Sequence, residues 1–471
     1  MLDPKRQFAR EVVERLQNAG HEAFWAGGCV RDLVMGNEPD DFDVATSARP
    51  DEVQNLFRRT IPVGVSFGVM VVVGRREQGQ IEVATFRTEG PYSDGRHPDR
   101  VDFATAEADA QRRDFTINGM FYDPVREQLL DFVGGQADIE RRVLRAIGDP
   151  RERFAEDKLR LLRAVRFAAR FGFAIDHATE SAIREMAHEI VRPPAGQPVS
   201  PERIQQELRR LLVHRNRVAG LSLADRVGLL HVILPEVTEM HGIPQGKPVQ
   251  PDGDLWDHTL LVLEKLDDAW RATIEHLAVA GAPAEPSFTL ALGALLHDVG
   301  KPRTMARDGN RLSFHHHEHV GAGIAGSIAR RMRLSNDERE RVEWLVEHHM
   351  YLGEARNMRL AKLKRILVHD GIAELLALHR ADALASTGNT DAVDYCVRML
   401  RELPDTELNP PPLLTGHDLQ RLFGLAPGPL FKELLEKVRE AQLDGAIRSK
   451  KDSLALVKRL LDEREPPDKS G

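Results

Sequence analysis

Gly27-Gly28-Cys29-Val30-Arg31-Asp32, followed by Asp41-Phe42-Asp43-Val44-Ala45-Thr46, sets a glycine pair at the head of a short helical turn and an acidic pair at the head of an apolar run. The preceding Glu22-Ala23-Phe24-Trp25-Ala26 reads as a short buried strand and Val30 to Met35 as the turn that follows it. The glycines therefore fall at a strand-to-helix junction, where backbone can approach a ligand closely. Unpaired N–H groups at the helix start and the donor fork of Arg31 suit a triphosphate, with Gly28 and Arg31 as its candidate contacts. Asp41 and Asp43 lie two apart, and on a strand residues i and i+2 share a face, so both carboxylates can grip one or two Mg²⁺ ions. Glu82, polar within the strand-like Ile81-Glu82-Val83-Ala84-Thr85-Phe86-Arg87, is the candidate third acid. Metal ions held by such a set activate an attacking hydroxyl and stabilise a departing pyrophosphate. An acidic pair two apart is common on solvated strands; the glycine motif upstream turns the reading toward nucleotidyl transfer.

The chain has 471 residues, enough for two to four domains with full cores. Composition is that of an ordinary soluble protein, 42% hydrophobic and 29% charged, with no run long enough to span a bilayer and no apolar secretion signal after Met1. A cytoplasmic protein without membrane contact is expected. Only Cys29 and Cys396 are present, which excludes a disulfide framework and a thiolate zinc site. With 65 basic and 73 acidic residues the net charge is −8, so nucleic-acid contacts must come from local patches.

Residues 1–140 alternate helical and strand-like stretches: helices over Arg6–Gln17 and Asp51–Arg58, strands around Ala23, Asp43, Val69–Val73 and Ile81–Phe86. Gly64-Val65-Ser66-Phe67-Gly68 reads as a turn entering a buried strand. From about Asp138 the pattern turns helical, Lys158–Phe171 and Glu202–Leu212 being the strongest segments, with loops at Pro193–Pro198, Gly281–Pro286 and Asn409–Pro412. Arg464–Gly471, charged and Pro-containing, is expected to fray. The fold class is α+β, an α/β head followed by helical neck, body and tail.

A second cluster, Arg112-Arg113-Asp114-Phe115-Thr116-Ile117-Asn118-Gly119-Met120, mixes charge with apolar residues as a site wall does. Arg113 can bind phosphate, Asp114 can accept from a ribose hydroxyl, and Asn118 can order backbone or touch the sugar. Asp114 as a simple helix cap is the competing account. Further on, Glu156-Asp157-Lys158-Leu159-Arg160-Leu161-Leu162-Arg163, with Arg166, reads as one helix in which Arg160 shares a face with Glu156 and Asp157. Cytosine and adenine both place an amino donor beside a ring-nitrogen acceptor. Asp157 accepting and Arg160 donating would then choose C and A over U and G, since a wrong base leaves buried polar groups unpaired at roughly 1–3 kcal/mol each. A plain salt-bridged helix face has the same sequence signature.

Together these motifs resemble the class II tRNA nucleotidyltransferase and bacterial poly(A) polymerase family. The resemblance implies a nucleotidyltransferase head with Asp41 and Asp43 as Mg²⁺ ligands, and Asp157, Arg160, Arg163 and Arg166 as the nucleobase reader. It implies template-independent transfer of CMP and AMP from CTP and ATP to a tRNA 3′ end with release of pyrophosphate. CC-only, A-only and poly(A) addition share these motifs. Arg203, Arg209, Arg210, Arg215 and Arg217 either track an RNA backbone or form a solvated face.

Trp256-Asp257-His258-Thr259, Ala294-Leu295-Leu296-His297-Asp298-Val299-Gly300-Lys301-Pro302 and Arg380-Ala381-Asp382 resemble the series of HD-type metal-dependent phosphohydrolases. That resemblance implies His258, His297, Asp298 and Asp382 around a divalent ion in a body over residues 221–405, with His317, His348 and His349 as candidates for a second metal or a phosphate. In Phe314-His315-His316-His317-Glu318-His319 only His317 fits the family spacing, so its neighbours are read as surface residues. A tail over 406–471 completes the neck (141–220) and body; there Lys432 stands where the family pattern has a small residue. A chain that is primarily a phosphohydrolase with a binding head is the alternative, against which Asp41 and Asp43 speak.

Overall fold

The computed structural model describes residues 3–64, 68–89, 101–194, 196–244, 253–279, 281–309 and 311–463. The turn expected at Gly64–Gly68 lies largely outside these residues, as do Ala195 of the Pro193–Pro198 loop and the terminal Arg464–Gly471. The chain divides into two compact units, one up to Thr238 with Arg331–Arg333, the other from Glu239 onward.

In the first unit, α1 (Pro4–Asn18), β1 (Ala23–Ala26), α2 (Gly28–Val34), β2 (Asp43–Thr46), α3 (Pro50–Leu56), β3 (Thr60–Gly64), β4 (Val69–Val73) and β5 (Gln80–Thr85) build most of the head. The ribbon β6 (Arg87–Glu89) and β7 (Val101–Phe103), then α4 (Ala106–Gln111), β8 (Phe121–Asp123), β9 (Gln128–Leu130) and α5 (Gly135–Glu140) complete it. Seven strands form one sheet in the order β3-β4-β5-β2-β1-β8-β9, antiparallel except for the parallel pair β2 and β5. Strand alternation divides the core. Trp25, Val44, Val72, Ile81 and Val83 point to one face and pack with Ala9, Val12, Val13 and Leu16 of α1, whose spacing is one helical stripe. Phe24, Ala26 and Ala45 point to the other, with Phe86, Phe121 and α4. Burying each large apolar side chain is worth about 1.5–3 kcal/mol, so this two-faced sheet anchors the head.

The neck consists of α6 (Pro150–Glu156), α7 (Leu159–Phe171), α8 (His177–Met186) and α9 (Pro201–Leu212), with a parallel two-residue pairing of Val143–Leu144 and Ala174–Ile175. The helix expected to run unbroken through Glu156 and Arg163 is two. Asp157 has extended backbone, φ −143° and ψ 103°, and its Oδ1 accepts from the Leu159 N–H at 3.0 Å, opening α7 afresh.

Among the described residues the second unit is helical apart from the antiparallel pair Ala306–Asp308 and Arg311–Ser313 and a single bridge between Pro244 and Asp254. Helix Phe288–Leu296 is buried on nearly every side and ends at His297. Leu255–Leu277, Asn336–His348 and Ile372–Ser386 pack against it, and His317–Arg331 follows the antiparallel pair. Three last helices, Gly416–Phe423, Pro429–Leu443 and Lys450–Asp462, share a small core of Leu414, Leu419, Leu434, Val438 and Val457. Lys432 lies exposed on the second of them, where a long side chain is accommodated. No helix among the described residues is long and apolar enough to cross a membrane.

Candidate functional site

Asp43 opens β2 and stands in register with Glu82 on β5. In each strand the next residue, Val44 or Val83, enters the core beneath α1, so the two acids project together from the opposite face. Asp41 is not on the strand, contrary to the expected spacing: it lies in the loop before it, 75% exposed, with Oδ1 2.9 Å from Lys5 Nζ. The three carboxyl groups nonetheless share one field. Asp43 is reachable by solvent, yet protein crowding its carboxyl, followed by the charges of Glu82 and Asp41, pushes its pKa up to about 6 against the pull of Arg113 and Lys5. A group of oxygen donors with negative charge left over fits a hard divalent cation such as Mg²⁺.

Beside these acids, Gly27 adopts φ +72° at the start of α2, and a Cβ there would stand 3.3 Å from Arg113 Nη1. The positive φ favours glycine, whose bare backbone a ligand can approach closely beside Arg113. Arg113 is held by Asp109 through Nε at 3.2 Å and Nη2 at 2.9 Å, with Nη1 donating to the Asn118 carbonyl at 3.3 Å. Burial would raise the Asp109 carboxyl, but Arg113 and Arg112 outweigh it and hold it low.

Arg31 is placed otherwise than expected. Its Nε and Nη2 donate to Asp32 at 2.9 and 3.0 Å, its Nη1 to Asn118 Oδ1 at 2.8 Å, and its guanidinium covers the Phe171 ring at 4.6 Å. It is buried, and it fastens α2 to the Asn118 turn and to α7 more than it faces a phosphate.

From Asn118 a polar chain runs into the neck. Asn118 Nδ2 donates to Asp114 Oδ1 at 3.0 Å, and Arg163 grips Asp114 Oδ2 through Nε at 3.0 Å and Nη2 at 2.6 Å. Burial alone would raise the Asp114 carboxyl; Arg163 and Asn118 overcome it and bring it to about 2. Asp114 is therefore an ionised joint between head and α7, not a helix cap. Arg163 Nη1 also lies 3.8 Å from Glu207, which pairs with Arg166 and, at 3.1 Å, with Arg210. Asp157 and Arg160 are not paired to each other. Asp157 accepts from Arg203 at 2.7 Å, while Arg160 donates to Glu156 at 2.6 Å and to the Arg153 carbonyl at 2.9 Å. Arg217 is buried against the Leu212 carbonyl, 2.6 Å from Nε, and is no RNA-facing residue.

Glu207 and Asp109 were not among the residues singled out in the sequence. Glu207 precedes Leu208 and follows Ile204 by three, which puts it on the apolar stripe of α9, and a lone acid on such a stripe is the available signal. Asp109 gives no comparable sign.

In the second unit His258, His297 and Asp382 bring ligand atoms within 4.8 Å of one another, as do Asp298, His317 and His349. Asp298 joins the triads: Oδ2 lies 3.2 Å from His297 Nε2 and 4.0 Å from His258 Nε2, Oδ1 3.2 Å from His317 Nε2 and 3.5 Å from His349 Nε2. His258 Nε2 is 3.1 Å from Asp382 Oδ1. The Nδ1 atoms of His297, His317 and His349 face the carbonyls of Ala294, Phe314 and Val346 at 2.7–2.8 Å, which turns each Nε2 inward as a metal-ligating imidazole requires. His297 Nε2 is buried without a well-aligned hydrogen bond, an orphan that a cation would satisfy. Lys301 Nζ, 2.6 Å from Asp298 Oδ2, supplies positive charge there; against the upward push of burial, Lys301 and His297 hold the carboxyl far below its usual range. His348 stays outside, donating from Nδ1 to Trp344 O at 2.9 Å.

These geometries define an α/β head with clustered carboxylates suited to a divalent ion, in a chain that also carries a helical unit with a buried His/Asp cluster. Residues 23–145 match the Poly A polymerase head domain, 172–240 the family described as a probable RNA and SrmB-binding site of polymerase A, and 255–387 the HD domain. An A-adding tRNA nucleotidyltransferase of Deinococcus radiodurans is 34% identical over 367 residues, 76% of this chain and 80% of its own length. A CCA-adding enzyme of Limosilactobacillus reuteri is 42% identical over 224 residues, 47% of this chain and 53% of its own, so the chain spans about half the length of such relatives. The crystal structure of a Bacillus stearothermophilus CCA-adding enzyme in complex with CTP superposes with a TM-score of 0.69 at 25% identity, covering 98% of this chain and 99% of that one. The chain belongs to the class II tRNA nucleotidyltransferase and poly(A) polymerase family, with an HD domain.

Proposed function

We propose that the chain is a CCA-adding tRNA nucleotidyltransferase, transferring CMP and AMP from CTP and ATP to a tRNA 3′ end without a nucleic-acid template. The observation that carries this reading is the register of Asp43 with Glu82, close to Asp41 and beside the Gly27 turn walled by Arg113. Residues 1–140 would carry the chemistry and 141–220 the choice of base. Asp41, Asp43 and Glu82 would hold Mg²⁺, which supplies activation of the attacking hydroxyl and charge neutralisation at the leaving pyrophosphate. The chain's own residues do the rest. Gly27 and Gly28 leave space for the triphosphate, and Arg113, oriented by Asp109, offers it positive charge. Asp114 and Asn118 in the head, tied to Arg163 of the neck, brace sugar and base. Asp157 and Arg160, each held by a partner of its own, present an acceptor and a donor whose rotamers are already fixed, which favours discrimination between bases. Two buried free cysteines accord with a reducing, cytoplasmic setting.

A-only addition is the second reading, favoured by the Deinococcus radiodurans relative. In the HD unit, His258, His297, Asp298, Asp382, His317 and His349 fit one or two divalent ions, and we read it as a phosphohydrolase site, an activity added to transfer. The test is incubation with tRNA lacking its last three nucleotides and with tRNA ending in CC, offering each labelled nucleotide separately. Incorporation of C and A that halts at the complete end supports the proposal. A added only to the CC-ending tRNA assigns the second reading, long A runs assign polyadenylation, and phosphate release without incorporation makes the chain a hydrolase.

A further inference from the structure

The histidines beside His317 are close together in space as well as in sequence. His316 and His319 are exposed, their rings stacked at 6.1 Å between centroids and 21° apart, and with Glu318 they bring three ligand atoms within 4.8 Å of one another. His316 holds φ +60°, a conformation uncommon for a residue with a side chain. That turn is what lets a residue ahead of helix His317–Arg331 bring its ring over His319, one turn inside the helix. Glu347, from helix Asn336–His348, reaches His319 Nδ1 at 3.2 Å and orients the ring. Glu318 Oε1 lies 3.8 Å from His319 Nε2, and its Oε2 3.6 Å from His317 Nδ1.

From this arrangement we propose that His316, Glu318 and His319 form a surface site for a zinc-class transition ion, separate from the buried cluster, with Glu347 as supporting carboxylate. Two imidazoles and one carboxylate are a donor set that zinc, nickel and cobalt accept well and magnesium poorly, because the last prefers oxygen ligands in an octahedral shell. An open position toward solvent remains for water. Glu318 lies between this site and His317, whose Nε2 faces the buried triad, so an ion at the surface acts on a carboxylate that also touches a residue of the inner cluster. His315, although exposed, is not part of the group and serves as the control.

The experiment uses the full-length chain stripped with chelator, then titrated with Zn²⁺ in excess Mg²⁺ while zinc bound per chain is counted by elemental analysis after equilibrium dialysis. His316→Asn with His319→Gln is the test variant, chosen because Asn tolerates the positive φ. It should bind one zinc equivalent fewer than the wild-type chain, while His315→Ala binds the same number. Glu318→Gln in the otherwise intact chain provides a second, independent variant and should weaken that equivalent at least tenfold. Metal-free melting curves of all variants should coincide with wild type. Retention of the full zinc count by the double variant, or the same loss in His315→Ala, overturns the site.

Discussion

Asp43 shows how the candidate active site works against the stability of the fold. Its pKa, raised to about 6 by crowding and by two neighbouring acids, means the folded chain resists the charge that a metal ligand must carry. Below about pH 4 the carboxyl is protonated folded or unfolded and the penalty is absent; it grows from about pH 4 to 6 and is complete above. Asp43→Asn is therefore expected to raise the melting temperature in chelator at pH 7–8, with the gain vanishing below about pH 4, while nucleotide incorporation falls to background. A variant no more stable than wild type at pH 8 would contradict this electrostatic account. Asp114 is the reverse case. Brought to about 2 by Arg163 and Asn118, it contributes stability above about pH 4 that is lost as pH falls toward 2. Asp114→Ala leaves Arg163 without its main partner and should cost about 3–5 kcal/mol in urea denaturation at pH 7, the usual consequence of breaking a buried ion pair.

Strands β1, β2, β4 and β5 and helices α1 and α3 were legible because apolar spacing alone specifies them. Edge strand β3 was not: Ile61 and Val63 are 45% and 65% exposed and Pro62 lies between them, so no buried alternation marks it. Strands β8 and β9 are three residues each, too short to show a period. The break between α6 and α7 carries neither glycine nor proline; Asp157 makes it by capping Leu159 and turning to Arg203, 46 positions away. In the second unit, Gly300 marks a contact between elements. A Cβ there would fall 2.1 Å from the His317 carbonyl oxygen and 2.7 Å from the Gly321 nitrogen, where no side chain can give way. Gly300→Ala should lower the melting temperature and abolish metal retention by the buried His/Asp cluster, both measurable on the purified chain by calorimetry and elemental analysis.

The first compact unit holds three grouped acids in the head, and the second a buried His/Asp cluster. Their donors differ, all oxygen in one and mostly imidazole in the other, so they call for different ions. His297→Ala should leave nucleotide incorporation at wild-type rate while abolishing any metal-stimulated release of phosphate from nucleotides or cyclic phosphodiesters. Loss of incorporation in that variant would show that the two chemistries are not independent.

Read alone, the chain's letters determined the acidic pair, the glycine turn, the identity of the HD-type ligands and the change from mixed to helical architecture. The glycine turn and the change of architecture rest on local spacing and composition, and the HD-type ligands on motif resemblance; of the acidic pair, only Asp43 lies on the strand, Asp41 standing in the loop before it. Only tertiary structure decided that Glu82 stands in register with Asp43, that Arg31 is held by Asp32 and Asn118, that Asp114 is gripped by Arg163, and that His349 rather than His348 joins the buried cluster. Those outcomes depend on pairings between segments far apart along the chain, where a charge is assigned by the partner that burial leaves within its reach.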